Sequence, residues 1–142
     1  MVRISEKDMI ILEILMRNAR TPFAEIARRI GVTEAAVRKR VRKLEELGII
    51  KGYRAVVDPK KIGYSVVALV GFDIEPEHYV DVLEKVRSMN EVRRMLSTAG
   101  DHMVIVECWF RDASEMAGFV RQLESMEGVT RVCPAILVEE LK

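Results

Sequence analysis

The sequence predicts an α+β fold, with helices gathered in the first third of the chain and a strand-rich remainder. Three observations carry this. Apolar residues recur at helical spacing in three short runs before residue 50. From residue 65 onward the pattern reads strand, helix, strand, strand, helix, strand. Charge divides along the same line: residues 1–50 hold 11 Lys/Arg against 7 Asp/Glu, and residues 51–142 hold 12 against 15. That segregation suggests a basic module for nucleic acid joined to an acidic module with another task.

In the first module, taken as residues 1–50, Ser5 is a fitting N-cap, with Asp8 completing a capping box of the acidic kind. The helix runs to about Asn18 and buries Met9, Ile11, Leu12, Leu15 and Met16. Thr21 is the expected cap of a second helix, with Pro22 at its first position. Phe23, Ile26, Ala27 and Ile30 form its apolar face, and Gly31 suits its left-handed end. Thr33 caps a third helix that closes at Gly48. Three short helices with a glycine turn before the third make a helix-turn-helix unit, winged-helix-like in class.

The third helix is the most informative stretch. Val37, Val41 and Leu44 form a stripe that can pack on a core. Ala35, Arg38, Lys39, Arg42 and Lys43 point the other way. A basic run is commonly just a solvated face. Here the charges lie opposite the core stripe, and the small Ala35 and Ala36 sit in the first turn, where a reading helix must approach base edges. Double-stranded DNA is therefore the expected partner. Arg38 and Arg42 are the candidates for guanine edges or nearby phosphates, Lys39 and Lys43 for phosphates, and Thr33 for a phosphate as well as the cap. Arg40 lies at the core edge and is read as an ion-pair residue, with a first-helix acid such as Glu13 as its partner.

Residues 51–64 are read as a hinge strand and linker. Ile49 to Val57 is strand-like and too apolar for a flexible tether, and Asp58-Pro59 and Gly63 mark turns. An ordered strand packing on something, such as the same segment of a second subunit, is expected.

The second module, residues 65–142, predicts strands at 66–74, 91–98, 103–110 and 129–138, with helices at 77–89 and 114–126. A βαββαβ order is the ferredoxin-like motif, an antiparallel sheet with both helices on one face. Pro134 agrees with an edge position for the last strand. The first and third strands are apolar almost throughout, so the uncovered sheet face calls for a cover, and a second copy of the chain is the natural one.

No apolar run reaches the length of a membrane span, and MVRISEKDM is not a secretion signal, so a cytoplasmic, nucleoid-associated protein with no membrane partner is expected. Cys108 and Cys133 lie in apolar strands separated by the first strand, which reads as packing and not as a disulfide. His78, at a helix start, is expected to be solvated. No nucleophile–base–orienter set, phosphate-binding glycine loop or metal-ligand cluster is present, so neither catalysis nor a cofactor or metal is expected.

The order and spacing of several short marks resemble the Lrp/AsnC family of transcription regulators over nearly the whole chain. They are D-M-I-I-L-E-I-L from Asp8, N-A-R-T from Asn18, E-I-A-R-R-I-G-V-T from Glu25, V-R-K-R-V-R-K-L-E-E-L-G-I-I from Val37, V-D-P-K-K-I-G from Val57, and A-G-D from Ala99. The resemblance implies a dimerising ferredoxin-like domain, assembly of dimers into larger rings, and a small effector, often an amino acid, bound between dimers. It also implies an effector site near the turn between the second and third strands, at Ala99, Gly100, Asp101, His102 and Met103. The family stretch there reads like T-G-D-Y-D. Gly100 and Asp101 match it; Ala99, His102 and Met103 depart from it, and Pro134 stands where another family threonine lies.

The expected function is thus a sequence-specific, dimeric or larger DNA-binding regulator modulated by a small effector such as an amino acid. Two alternatives stay open: a ligand-independent DNA-organising protein and, more distantly, a small-molecule enzyme on the ferredoxin-like module.

Overall fold

Ser5 opens the first helix with a two-way cap. Its Oγ accepts from the Asp8 N–H at 3.1 Å, and the Asp8 carboxylate accepts from the Ser5 N–H at 3.3 Å and from its hydroxyl at 2.7 Å. In the computed structural model, which describes residues 2–142, the helices of the first compact unit are α1 (Glu6–Arg17), α2 (Phe23–Ile30) and α3 (Glu34–Glu46). The second unit begins at Val57.

The second helix departs from the expected cap. Pro22 itself occupies the N-cap position, at φ −61°, and Thr21 turns its hydroxyl back to the Asn18 carbonyl at 2.7 Å. Proline has no N–H to satisfy and a pre-set φ, while Thr21 closes the turn that joins α1 to α2. Gly31, at φ 69°, then lets the Val32 N–H reach the Ala27 carbonyl at 3.1 Å. Ile11, Ile14 and Leu15 of α1, Ile26 and Ala27 of α2, and Val37, Val41 and Leu44 of α3 form one buried cluster. Met9 and Met16, expected inside, are exposed, because they lie on the flanks of the stripe that Ile11, Ile14 and Leu15 fill.

The strand expected over residues 49–57 does not form within the chain. Ile49 and Ile50 pack on the helical core, but residues 51–58 carry neither helix nor strand, and Val56 is 96% exposed. A strand is a paired object, and the first unit contains only helices to pair with it.

In the second unit the elements are β1 (Val66–Ile74), α4 (Tyr79–Arg87), β2 (Val92–Ser97), β3 (Val104–Phe110), α5 (Ala113–Glu124) and β4 (Val129–Ile136). A 3₁₀ turn, Pro59–Ile62, precedes β1, and a second, Pro76–His78, leads into α4. The sheet is antiparallel with order β2-β3-β1-β4, so β4 is an edge as Pro134 requires. Ala68, Val70, Phe72 and Ile74 of β1 and Val104, Val106, Cys108 and Phe110 of β3 meet Val82 and Val86 of α4 and Phe119 and Leu123 of α5. Burial, reinforced by the charges of Glu91 and Glu107, pushes the Cys108 thiol up to about 12, so it is a packing group. Cys133, by contrast, is exposed on the edge strand and not a packing residue. His78 is not simply solvated. It is half-buried against Gly128, where a side chain would collide with its Cβ, and its Nε2 lies 3.9 Å from Glu127.

The other sheet face has no helix packed on it within the unit. It presents Leu69 of β1 (44% exposed), Leu96 of β2, Ile105 and Trp109 of β3 and Ala135 of β4, with Arg94 opposite Glu107 in register.

Candidate DNA-binding face and effector turn

Three buried residues fix the orientation of α3, and its outward side follows from that. Thr33 caps the helix by accepting from the Ala36 N–H at 3.1 Å, so its hydroxyl oxygen is committed locally while the residue stays exposed. Gly48, at φ 69°, ends the helix: its N–H reaches the Glu45 carbonyl, and the Ile49 N–H reaches Leu44, each at 2.9 Å. Ala35, Arg38, Lys39, Arg42 and Lys43 are all exposed between these two ends.

The cations are not equivalent. Arg38 bonds Glu34 at 3.2 Å and lies 5.8 Å above the Phe23 ring centroid, so it is drawn toward α2. Lys39 and Lys43 line the opposite flank, along a groove of about 380 Å³ that also takes in Val2, Arg3, Ile4 and Leu47. Among the described residues, Lys39, Arg42 and Lys43 form no ion pair, which leaves them free for an anionic partner.

Arg40 is a structural ion-pair residue, but its partner is Asp8 and not Glu13. The Nη1–Oδ1 distance is 3.0 Å, and the same nitrogen lies 3.3 Å from the Ser5 hydroxyl. Asp8 sits one turn nearer the start of α1, where the cap already holds its carboxylate. Burial raises the Asp8 pKa, but the bonds from Ser5 and Arg40 outweigh it and hold the carboxyl below its ordinary value.

The second candidate site is the loop between β2 and β3, residues 98–103, wider than the three-residue turn read from the sequence. Thr98 closes it, its N–H reaching the Met103 carbonyl at 2.9 Å and its hydroxyl the His102 carbonyl at 2.6 Å. Ala99 and Asp101 are exposed, and Gly100 takes a φ of 145°. Met103 stands where the family pattern has a second acid, yet a second acid is present. Asp73, from the end of β1, accepts the Met103 N–H at 2.9 Å.

Arg131 joins the two acids, lying 3.2 Å from Asp73 and 2.9 Å from Asp101. It reaches them from an irregularity in β4, where Gly71 faces Cys133 but Asp73 faces Thr130. At this bulge Arg131 adopts φ 49°, the left-handed region a non-glycine residue rarely occupies. The Arg131 hydrogen bond and charge, with a smaller contribution from His102, draw the Asp101 pKa down. The His102 ring lies against Gly71, where an added Cβ would come within 2.6 Å of it.

Asp73, Arg131 and Gly71 were not anticipated as members of this site. Asp73 has a sequence signal, as the one acid in an otherwise apolar strand; the bulge that aims Arg131 has none. Among the described residues no His/Cys/Asp/Glu group has metal-site geometry, and no helix is long and apolar enough to cross a membrane.

Known proteins match both units. Residues 4–45 fit the AsnC-type helix-turn-helix domain, and residues 67–142 fit the Lrp/AsnC ligand binding domain. The chain is 49% identical to the HTH-type transcriptional regulator LrpA of Pyrococcus horikoshii over 140 residues, covering 98% of this chain and 99% of that one. It is 46% identical to the LrpA of Pyrococcus abyssi with the same coverage. Among solved structures it resembles E. coli AsnC, with a TM-score of 0.85 at 29% identity over 99% of this chain and 96% of that one. It also shares the fold of a Neisseria meningitidis transcriptional regulator solved in complex with L-Met, with a TM-score of 0.90 at 24% identity over 99% and 93% of the two chains. A capped basic helix on a three-helix core, followed by a split sheet of order β2-β3-β1-β4 with both domain models matched, has one reading: this chain belongs to the Lrp/AsnC family of helix-turn-helix transcription regulators.

Proposed function

We propose that the protein is a homodimeric or larger, sequence-specific DNA-binding regulator whose α3 enters the major groove. The carrying observation is the outward face of α3, where Lys39, Arg42 and Lys43 are exposed and free of protein partners opposite the buried Val37–Val41–Leu44 stripe. In this reading Arg38 and Arg42 meet guanine edges or adjacent phosphates, Lys39 and Lys43 meet phosphates, and Thr33 and Ala35 bring the first turn close to the bases. Two such helices in a symmetric dimer engage half-sites about 34 Å apart, or a multiple of that.

The open sheet face supports the dimer. Leu69, Leu96, Ile105 and Trp109 make an apolar patch with mixed charge beside it, fit for a self-complementary contact. For the effector we assign the turn Ala99–Met103 and an amino acid as ligand class, supported by the match of residues 67–142 to a ligand-binding domain and by the exposed turn. An effector there acts by binding one assembly better than another. A nucleoid-bound, non-catalytic role fits this reading.

Fluorescence anisotropy on genomic fragments tests the assignment. Arg38→Ala with Arg42→Ala is expected to abolish preference for the selected site, each change costing about 1–3 kcal/mol, while the oligomer stays intact. Unchanged site preference in that variant overturns the assigned face. Equal wild-type affinity for selected and random duplex at moderate salt supports the DNA-organising alternative instead.

A further inference from the structure

The β2–β3 loop carries a set of charges that its family membership does not explain. His102 lies with its ring in the space left by the missing side chain of Gly71, and its own side chain is only 14% exposed. Each ring nitrogen faces a carboxylate: Nδ1 is 3.7 Å from Asp73 Oδ2, and Nε2 is 3.5 Å from Asp101 Oδ2. Nδ1 is buried without a hydrogen-bond partner. A neutral imidazole carries one N–H and can serve only one of the two acids, whereas an imidazolium carries two and matches both.

Charge counting gives the same answer. Asp73 and Asp101 contribute two negative charges, and Arg131, bonded to both, supplies one positive charge. The cluster is short of one cation while His102 is neutral. The charged groups beside the ring are Asp73 on β1 and Asp101 in the loop; Arg131 of β4 is bonded to both acids, and Cys133 of β4 stands opposite Gly71 in register. On the β2 side, the Thr98 hydroxyl bonds the His102 carbonyl. Among the described residues no other charged side chain lies within ion-pair distance of the ring.

We propose that His102 is a proton-binding site: taking up one proton, it ties the β2–β3 loop to the end of β1 through Asp73 and to the loop's own Asp101, and losing it, it releases that tie. Histidine is the side chain type whose charge changes between about pH 5 and 8. The tie fastens the segment whose Met103 N–H is already bonded to Asp73. Arg131, held at an unfavourable φ by the bulge, lies against both acids and draws the Asp101 pKa down. Nothing in this arrangement of His102, Asp73 and Asp101 requires an amino acid to bind.

The chain has two histidines, His78 and His102, which makes the test direct. Nitrogen-15 spectra of the full chain, with His78→Gln to assign the signals, report the protonation of both His102 ring nitrogens. Amide exchange, corrected for its intrinsic pH dependence, reports the loop. The expected result is a His102 ring doubly protonated at pH 5.5 and singly at pH 8. The Thr98 and Met103 amides are then protected roughly fivefold more at the lower pH, the upper range for a partly exposed ion pair. Asp73→Asn reduces that gain, and His102→Gln removes it. A wild-type ring with an unchanged protonation state from pH 5 to 8 overturns the proposal, even if the variants do not fold. So does an equal pH response of the loop in wild type and His102→Gln.

Discussion

Arg38 is held from two sides before any DNA arrives, by the Glu34 carboxylate at 3.2 Å and by the face of Phe23. A pair this exposed contributes little stability, so its effect lies in where the guanidinium points. Glu34→Gln is expected to free Arg38 and to remove a negative charge from the DNA face. Anisotropy titrations then show random duplex bound about threefold more tightly, with a smaller gap between selected and random sites. A uniform weakening would show that the carboxylate serves only the helix terminus. Asp8 acts on the fold instead. It closes the α1 cap and pairs with Arg40, so Asp8→Ala costs about 1–2 kcal/mol in thermal or urea unfolding, with the partly exposed ion pair the smaller share. Because the folded state holds this carboxyl below its ordinary value, the contribution is present at neutral pH and is lost as pH falls through the aspartate range. The stability gap between wild type and Asp8→Asn is therefore expected in full at pH 7 and shrinks as pH falls below the ordinary aspartate value of about 3.9.

Element by element, β1 shows what a strand must carry when both of its faces matter. One face supplies Ala68, Val70, Phe72 and Ile74 to the core, while the other carries Leu69, Gly71 and Asp73. Gly71→Ala is expected to expel the His102 ring from its seat and to destabilise the second unit by about 1–3 kcal/mol in urea unfolding, with the β2–β3 loop losing protection first. Elements like this were readable because apolar period and punctuation agree. β1 begins and ends where the β-branched run does, and Ser5, Gly31, Thr33 and Gly48 cap or end helices as their chemistry demands. Reading failed where the outcome depends on a distant partner. The apolar run at 49–57 looked like a strand, yet it has no ladder within the chain. Arg40 needed an acid on α1, and periodicity could not choose between Asp8 and Glu13. The turn at Gly100–Asp101 was visible as a turn, but its chemistry comes from Asp73 and Arg131, some thirty residues away on either side.

For the molecule as a whole, the open sheet face decides whether one copy suffices. Leu69 lies on it, far from the α4–α5 side of the core. Leu69→Asp is expected to leave each chain folded and to give a monomer by sedimentation. Loss of two-headed attachment then lowers affinity for a two-half-site operator by at least about a hundredfold. A dimer surviving in that variant would place the contact elsewhere. The chain also carries its own means of watching the process. Its single tryptophan, Trp109, lies on this same surface, with the Arg93 guanidinium 4.7 Å above it and the Tyr64 ring 5.7 Å away. Indole emission depends on how much water surrounds the ring, so the fluorescence colour of an unlabelled sample should move toward the red on dilution, tracking separation of the copies with no added dye.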